Sequence, residues 1–466
     1  MKKRGLAVFA LAAVLTLGTA TLSSMAAEGW AQSNGNWVYY NSSGSTVTNE
    51  WRKGADNLWR YLNSSGQMAV NSWVESIYYV DNNGILVTDK WMKLENPRWD
   101  RVSSDDQYVW YYFGSSGKVI TDCWKKIDNK WYFFNDDGIM QTGWADDNMY
   151  YCGSDGSMRT GWQKLAPPEG QDEENNRDSG PTMDGYEYDG KDWYYFGTNG
   201  KKFVPDNMGS AEFGERKIDG VYYCFDEFGA MQIGWRNIKS SDDDSAELAD
   251  YKYFGSDGKV KTGWLSLEPP QKLASRYDHS VEWFYFSSQG VPETGEKEGE
   301  GKTSDFIRIN GNTYLFNDRG NPVYGLQKVY NSSNDYTSYY FGTWEQSCMQ
   351  RGKIRINEGG ETSDFYFTDS GKGYNGVRDG YLYYMGKLQK AESGTKYQAI
   401  SIPSSNGYTT YVVNTSGKIS KNSTVKTSDG VKYKTNGSGI LTEVDGDAAD
   451  KKDEYREPFE PEWENY

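Results

Sequence analysis

Four-residue aromatic runs recur along this chain about every twenty residues, each leading into a glycine turn, and no other feature limits the fold so tightly. Trp131-Tyr132-Phe133-Phe134 runs into Asn135-Asp136-Asp137-Gly138, Trp110-Tyr111-Tyr112-Phe113 into Gly114-Ser115-Ser116-Gly117, and Trp193-Tyr194-Tyr195-Phe196 into Gly197-Thr198-Asn199-Gly200. Ile77-Tyr78-Tyr79-Val80 and Trp283-Phe284-Tyr285-Phe286 are weaker copies. A short stretch and another tryptophan follow, as in Gly138-Ile139-Met140-Gln141-Thr142-Gly143-Trp144. Trp30, Trp51, Trp73 and Trp91 are spaced by 21, 22 and 18 residues, and Trp124, Trp144 and Trp162 by 20 and 18. Aromatic and β-branched residues favour strands. Asn, Asp or Ser before Gly suits a hairpin loop, because glycine accepts the positive φ that closes it. Each unit is therefore expected to be a β-hairpin plus a connecting turn. One hairpin is not stable alone, but stacking buries the rings between neighbours. The expected fold is all-β, a solenoid of roughly fifteen stacked β-hairpin repeats of about 20 residues with loop insertions.

The composition narrows the function. Aromatics make up 16% of the chain and the whole apolar set only 36%, so a large aliphatic core is not expected. Disordered chains lack aromatics, so most of this one should fold. A net charge of -16 argues against a nucleic-acid binder, which needs a basic face. The single histidine, His279, cannot supply a His-rich zinc site and reads as a surface residue. No acidic stretch has the ligand spacing of a calcium loop, so no metal or other cofactor is expected. Cys123, Cys152, Cys224 and Cys348 show no metal-ligand spacing. Cys152 and Cys224 stand where neighbouring units put Phe and read as small buried hydrophobes. There is no nucleophile elbow or phosphate-binding glycine loop, and the repeat-free stretches, about 30 residues at most, are short for a catalytic module. The chain is not expected to be an enzyme.

Lys2, Lys3 and Arg4, the apolar stretch Leu6 to Leu17, and Ser24-Met25-Ala26-Ala27 have the layout of a secretory signal peptide. The sequence then divides into the signal peptide (1–27), Trp-rich hairpin repeats (28–290), a linker or insertion (291–304), degenerate Tyr-rich hairpin repeats (305–444) and an acidic disordered tail (445–466). Residues 163–190 and 238–249 read as solvated insertions. No later segment approaches a membrane span. The acidic end carries no Leu-Pro-x-Thr-Gly motif, so retention at a surface is expected to be noncovalent.

Gly29-Trp30, the seven-residue step to Trp37, Tyr39-Tyr40 and Gly44 resemble the choline-binding or cell-wall-binding repeat. So do Trp124, Trp131, Tyr132-Phe133-Phe134, Gly138, Met140 and Thr142-Gly143-Trp144. Related repeats occur in glucan-binding regions and in clostridial toxin C-terminal repeats. The resemblance is strong to about residue 290 and loose beyond, and it implies the same hairpin solenoid. It also implies an aromatic cage between successive hairpins, made of two Trp from one unit and an aromatic from the next. Carried over, the cages would be Trp30, Trp37 and Tyr61; Trp51, Trp59 and Tyr79; and Trp124, Trp131 and Tyr151. A quaternary ammonium donates no hydrogen bonds, so ring faces are its natural partners.

The sequence departs from the pattern in places. Ile77 and Met149 stand where a second Trp belongs, Cys123 replaces the glycine before Trp124, and Trp110, Trp193 and Trp283 come only beyond insertions. The implied function is a noncatalytic secreted surface protein that binds a cell-wall polymer, a choline-bearing teichoic acid or related polysaccharide. The alternatives are an adhesin stacking the same rings on glycans, host glycans included, and a structural spacer.

Overall fold

A computed structural model describes residues 28–98, 107–171, 187–206, 211, 213–239, 246–297, 299–331, 335–405, 407–449 and 455–463, so the expected signal peptide lies outside the described residues. The chain divides into two compact units, Met1–Gln163 with Phe196–Lys202, and Lys164–Tyr195 with Phe203–Tyr466.

In the first unit the aromatic runs form second strands, and six antiparallel hairpins follow one another among the described residues. Their paired strands are Gly29–Ser33 with Asn36–Tyr40, Glu50–Lys53 with Trp59–Leu62, Ser72–Val74 with Tyr78–Val80, Lys90–Glu95 with Tyr108–Phe113, Cys123–Ile127 with Lys130–Phe134, and Gly143–Ala145 with Tyr150–Cys152. The Asn or Asp after the aromatic run closes the turn with its side chain. Asn63 Oδ1 accepts from the Ser65 and Gln67 N–H groups at 2.9 and 3.0 Å. Asn41, Asp81 and Asn135 do the same.

Two contacts repeat from hairpin to hairpin. The residue that follows each turn donates its N–H to the preceding hairpin, at the carbonyl of the second-Trp position. Met68 reaches Trp37 at 2.8 Å, Leu86 reaches Trp59 at 2.9 Å, Val119 reaches Ile77 at 2.9 Å and Met140 reaches Trp110 at 2.8 Å. The same apolar side chains receive the turn glycine of the next hairpin. A Cβ on Gly84 would meet Met68 Cε at 2.8 Å, and one on Gly117 would meet Leu86 Cδ2 at 2.7 Å; both glycines also have positive φ, +69° and +78°. These glycines are thus required both for backbone conformation and for close approach. From the second hairpin on, the last residue of the second strand, Leu62, Val80, Phe113, Phe134 and Cys152, is fully buried. Each large side chain in that series contributes roughly 1.5–3 kcal/mol by burial.

The missing glycine before Trp124 is accounted for by the backbone. Where Gly precedes the first Trp, as at Gly143, it takes the positive φ, +77°. Where Glu50, Ser72, Lys90 or Cys123 stands there, the residue one earlier takes it instead, Asn49 at +53°, Asn71 at +42°, Asp89 at +45° and Asp122 at +45°. Asn and Asp tolerate that conformation better than other side chains.

The second unit contains the hairpins Gly214–Ile218 with Val221–Phe225, to which Met231–Gln232 adds a third strand, Gly234–Asn237 with Tyr251–Phe254, Gly263–Leu267 with Glu282–Phe286, Ile307–Ile309 with Asn312–Tyr314, and Leu326–Tyr330 with Tyr336–Tyr340. Within this unit Phe225, Phe254, Phe286, Phe316, Phe341 and Phe367 are buried in the same way. Further on, hairpins merge. Gly352–Glu358, Glu361–Phe367, Lys387–Leu388, Tyr381–Tyr384 and Gly376–Arg378 form one five-stranded sheet in that order, and Thr424–Lys426 opens a four-stranded one.

Two sequence expectations differ from the structure. The insertion at 238–249 contributes apolar cover: Ala246 and Leu248 pack with Tyr251, Phe284 and Phe286 in one buried cluster, joined by Leu273 from the loop before Glu282. The acidic end, expected to be disordered, is held in its described part. Gln389 is fully buried and bonds Phe459 twice, accepting from its N–H at 2.8 Å and donating to its carbonyl at 2.9 Å. The Glu462 N–H donates to Glu358 at 2.8 Å, and the Arg456 guanidinium lies 3.8 Å from the Phe459 ring centroid. Acidic composition hid an aromatic and an arginine that both pack.

Cys152 and Cys224 are buried, Cys123 is exposed, and none of the four is in a disulfide. Burial pushes the Cys152 thiol up to about 11. Phe225, not Cys224, holds the buried strand-end position in its hairpin, because Phe225 pairs with Gly214 as Phe134 pairs with Cys123. No helix among the described residues is long and apolar enough to cross a membrane.

Candidate functional site

Pairing register decides which rings meet. In the hairpin Lys90–Glu95 with Tyr108–Phe113, Trp91 pairs with Tyr112 and Lys93 with Trp110. Trp91 and Trp110 therefore lie diagonally on one face of the ribbon, with ring centroids 6.4 Å apart. Tyr132 of the following hairpin comes within 4.9 Å of Trp91. Two tryptophans and a tyrosine from two successive hairpins thus converge. The second unit repeats the arrangement: Trp264 lies 6.4 Å from Trp283 and 5.0 Å from Tyr314.

Both triads lie where the sequence pattern looked broken by insertions. The insertions lengthen the loops at the hairpin tips and leave the strand register intact. Counting back from the turn glycine, rather than forward from the first Trp, would have found Trp110 and Trp283, since each is the fourth residue back from a Phe that precedes the turn, that Phe included.

The nine residues expected from sequence are placed as follows. Trp51 lies 5.1 Å from Tyr61, its own cross-strand partner, and 5.4 Å from Tyr78 of the next hairpin. Trp124 lies 4.9 Å from Tyr150 of the next hairpin and donates from Nε1 to Asp146 at 3.0 Å. Tyr79 and Tyr151 lie against the first Trp of their own hairpins, Trp73 at 5.7 Å and Trp144 at 5.4 Å. The ring that crosses to the preceding hairpin is thus one residue earlier than expected, Tyr78 rather than Tyr79 and Tyr150 rather than Tyr151. Successive strand residues point to opposite faces, so a one-residue offset changes the partner. At the matching position after Trp30 and Trp37 stands Arg60, held by Asp56 at 2.7 and 2.8 Å. Trp30 donates from Nε1 to the Lys53 carbonyl at 2.9 Å.

Exposure separates the two tryptophans of a pair. Trp37, Trp59, Trp110, Trp131 and Trp283 are all 42–44% exposed, so each leaves ring surface for a ligand to cover. Where another residue replaces the second Trp the outcome varies: Tyr251 packs with Ala246, Leu248 and Leu273 and is buried, Ser338 is fully buried, and Ile77 and Tyr222 stay exposed.

Around Trp264 and Trp283 the rings line a cleft of about 410 Å³, with Tyr314 and Trp344 also on its walls and Asn312 and Gln346 as polar lining. Glu282 adjoins it. Burial holds the Glu282 carboxyl above the usual range, against hydrogen bonds from His279. His279 itself is 61% exposed and lies 3.4 Å from Glu282 and 5.2 Å from the Trp344 ring. No group of three or more His, Cys, Asp or Glu residues that could hold a metal ion occurs among the described residues.

The choline-binding repeat family matches residues 27–73 and 120–151, and the family described as "Putative cell wall binding repeat" matches residues 304–321. Similar solved structures include the modular autolysin LytC from Streptococcus pneumoniae, at 19% identity and a TM-score of 0.37, covering 63% of this chain and 52% of that one. The chain thus spans about half the length of LytC. CbpJ from Streptococcus pneumoniae is similar at 20% identity and a TM-score of 0.33, over 78% of this chain and 99% of that one. Choline binding protein F from the same species is similar at 18% identity and a TM-score of 0.29, over 78% and 99%. A comparison with curated proteins finds no match.

Proposed function

As a chain that carries choline-binding repeats, this protein, we propose, is a noncatalytic secreted protein that holds to the bacterial envelope by seating quaternary ammonium groups of a wall polymer between its hairpins. The observation that carries this reading is the pair of three-ring clusters, Trp91, Trp110 and Tyr132, and Trp264, Trp283 and Tyr314. A ring within about 6 Å of a cation contributes roughly 0.5–2 kcal/mol, so three rings give about 3–5 kcal/mol and a millimolar site. Choline-bearing teichoic acid is the polymer whose side groups fit. The intervals built on Trp51, Trp59 and Tyr78 and on Trp124, Trp131 and Tyr150 are further sites of the same kind.

The test is a choline titration followed by tryptophan fluorescence, with sodium chloride matched. A saturable change at millimolar choline, reduced in Trp110→Ala and in Trp283→Ala, is expected. A flat trace removes the ammonium reading. The glycan adhesin is then the second reading, favoured by the polar lining of Asn312 and Gln346 beside the rings, and glycan binding tests it. Activity of the chain on purified cell wall in a zymogram would overturn the noncatalytic assignment.

A further inference from the structure

One interval replaces its rings with charges. In the hairpin Gly214–Ile218 with Val221–Phe225, Glu215 pairs with Cys224 and Lys217 with Tyr222. Matched to the hairpin that contains Trp91 and Trp110, Glu215 takes the register of the first Trp and Tyr222 that of the second. The next hairpin puts Lys252 two residues before its strand-end residue Phe254, as Tyr132 stands two before Phe134. The backbone tie between the hairpins is intact, with the Val260 N–H donating to the Tyr222 carbonyl at 3.0 Å. Where the intervals at Trp91 and Trp264 have Trp against Tyr, this one has Glu215 against Lys252.

Lys252 Nζ donates to both Glu215 oxygens, at 2.9 and 2.7 Å. Their side chains are 8% and 19% exposed, and Nζ lies 5.3 Å from the Tyr222 ring centroid. An ammonium therefore sits within an aromatic and anionic enclosure between two hairpins, and it belongs to the chain. A carboxylate suits a primary ammonium, which has three N–H donors, and receives no hydrogen bond from a quaternary one, which has none.

We propose that the interval between the hairpins 214–225 and 234–254 is a primary-ammonium site, and that Lys252 is its built-in occupant. The lysine side chain fills the slot that stays open in the Trp-paired intervals, closes it to external ammonium groups and joins the two hairpins. In the first unit a lysine also covers a ring, but from another register position: Lys202 follows its turn, and its N–H donates to the Met149 carbonyl at 2.7 Å as that of Met140 does to Trp110. Met149 there stands in for the second Trp, and Lys202, only 5% exposed, places Nζ 4.9 Å from the Trp144 ring centroid. The proposal rests on interval geometry and not on choline binding elsewhere, so either can fail without the other.

The test is chemical rescue in the full chain. Lys252→Ala vacates the slot and is expected to lower the thermal midpoint. Methylammonium at on the order of 50 mM should restore about 2 °C or more, because a ligand bound only to the folded state stabilises it. Each shift is read against the unsubstituted chain in the same salt, because open Trp-paired intervals that take ammonium groups would do so in both chains: tetramethylammonium at equal ionic strength should shift the two equally, and methylammonium should give Lys252→Ala the larger shift. If Lys252→Ala does not fold at rest, the same comparison is read as refolding yield with each salt. Glu215→Ala combined with Lys252→Ala leaves no orphaned charge and should lose the methylammonium response. Relative to the unsubstituted chain, equal effects of the two salts, no effect of either, or a full methylammonium response in the double variant overturns the proposal.

Discussion

At the residue scale, single positions carry constraints whose cause lies in the neighbouring hairpin. The turn glycines were legible because the hairpin loop needs positive φ. Their second role was not, since Gly84 lies against Met68, sixteen residues earlier, and no local pattern marks that contact. Gly84→Ala is expected to destabilise the first unit by roughly 2–4 kcal/mol, the left-handed penalty plus overpacking. Asp122→Ala, which meets the conformational penalty alone, should cost about 1 kcal/mol. Urea unfolding of both variants checks the order; equal losses would mean that the glycine contact contributes nothing. Ion pairs give a second residue-scale expectation. Hydrogen bonds from Arg60 hold the Asp56 carboxyl down to about 2. Its folded value lies below the unfolded one, so the pair stabilises above about pH 4, and that contribution disappears as pH falls toward 2. The pair is largely exposed and its effect is small. The midpoint gap between the unsubstituted chain and Asp56→Asn should be present at pH 6 and vanish near pH 2; a gap unchanged at low pH would show that the pair is not its source.

At the element scale, the hairpin was readable and its partners were less so. Aromatic runs and Asx-Gly turns specify one ribbon, so the all-β architecture followed directly. Which ring reaches the next hairpin depends on strand parity, and parity is fixed by pairing register. That is why Tyr78 and Tyr150, and not their successors, cross to Trp51 and Trp124. The triads at Trp110 and Trp283 were hidden for a related reason, because a loop at a hairpin tip changes sequence distance without changing register. The acidic end shows the opposite limit. Its charge pattern argued for disorder, while Phe459 and Arg456 gave it something to pack and Gln389 bonded its backbone. Gln389→Ala breaks both bonds to Phe459 and a third to the Lys387 carbonyl, and should cost the second unit about 1–3 kcal/mol. Hydrogen exchange should then quicken at residues 455–463. Unchanged protection there would mean that the segment is held by other contacts.

At the scale of the whole molecule, binding strength is a matter of number. On the proposed function each open interval would offer a roughly millimolar site, and a polymer bearing many ammonium groups would engage several at once, raising the apparent affinity by about 10²–10⁴ over one site without any new contact. The net charge of -16 gives the chain no general attraction for an anionic wall polymer, so retention should depend on the cages and not on bulk electrostatics. Free choline at tens of millimolar, well above the roughly millimolar single-site value, should therefore release the bound chain, whereas an equal concentration of sodium chloride should not. Trp110→Ala and Trp283→Ala should each weaken retention on choline-bearing wall by about tenfold or more while lowering the choline stoichiometry by one, because every lost interval removes a multiplicative factor. Co-sedimentation with wall material, measured against choline concentration for each variant, reads both quantities together. Release by salt as readily as by choline, or a variant that loses a choline site and keeps its full hold on the wall, would mean that the chain is retained through some other surface.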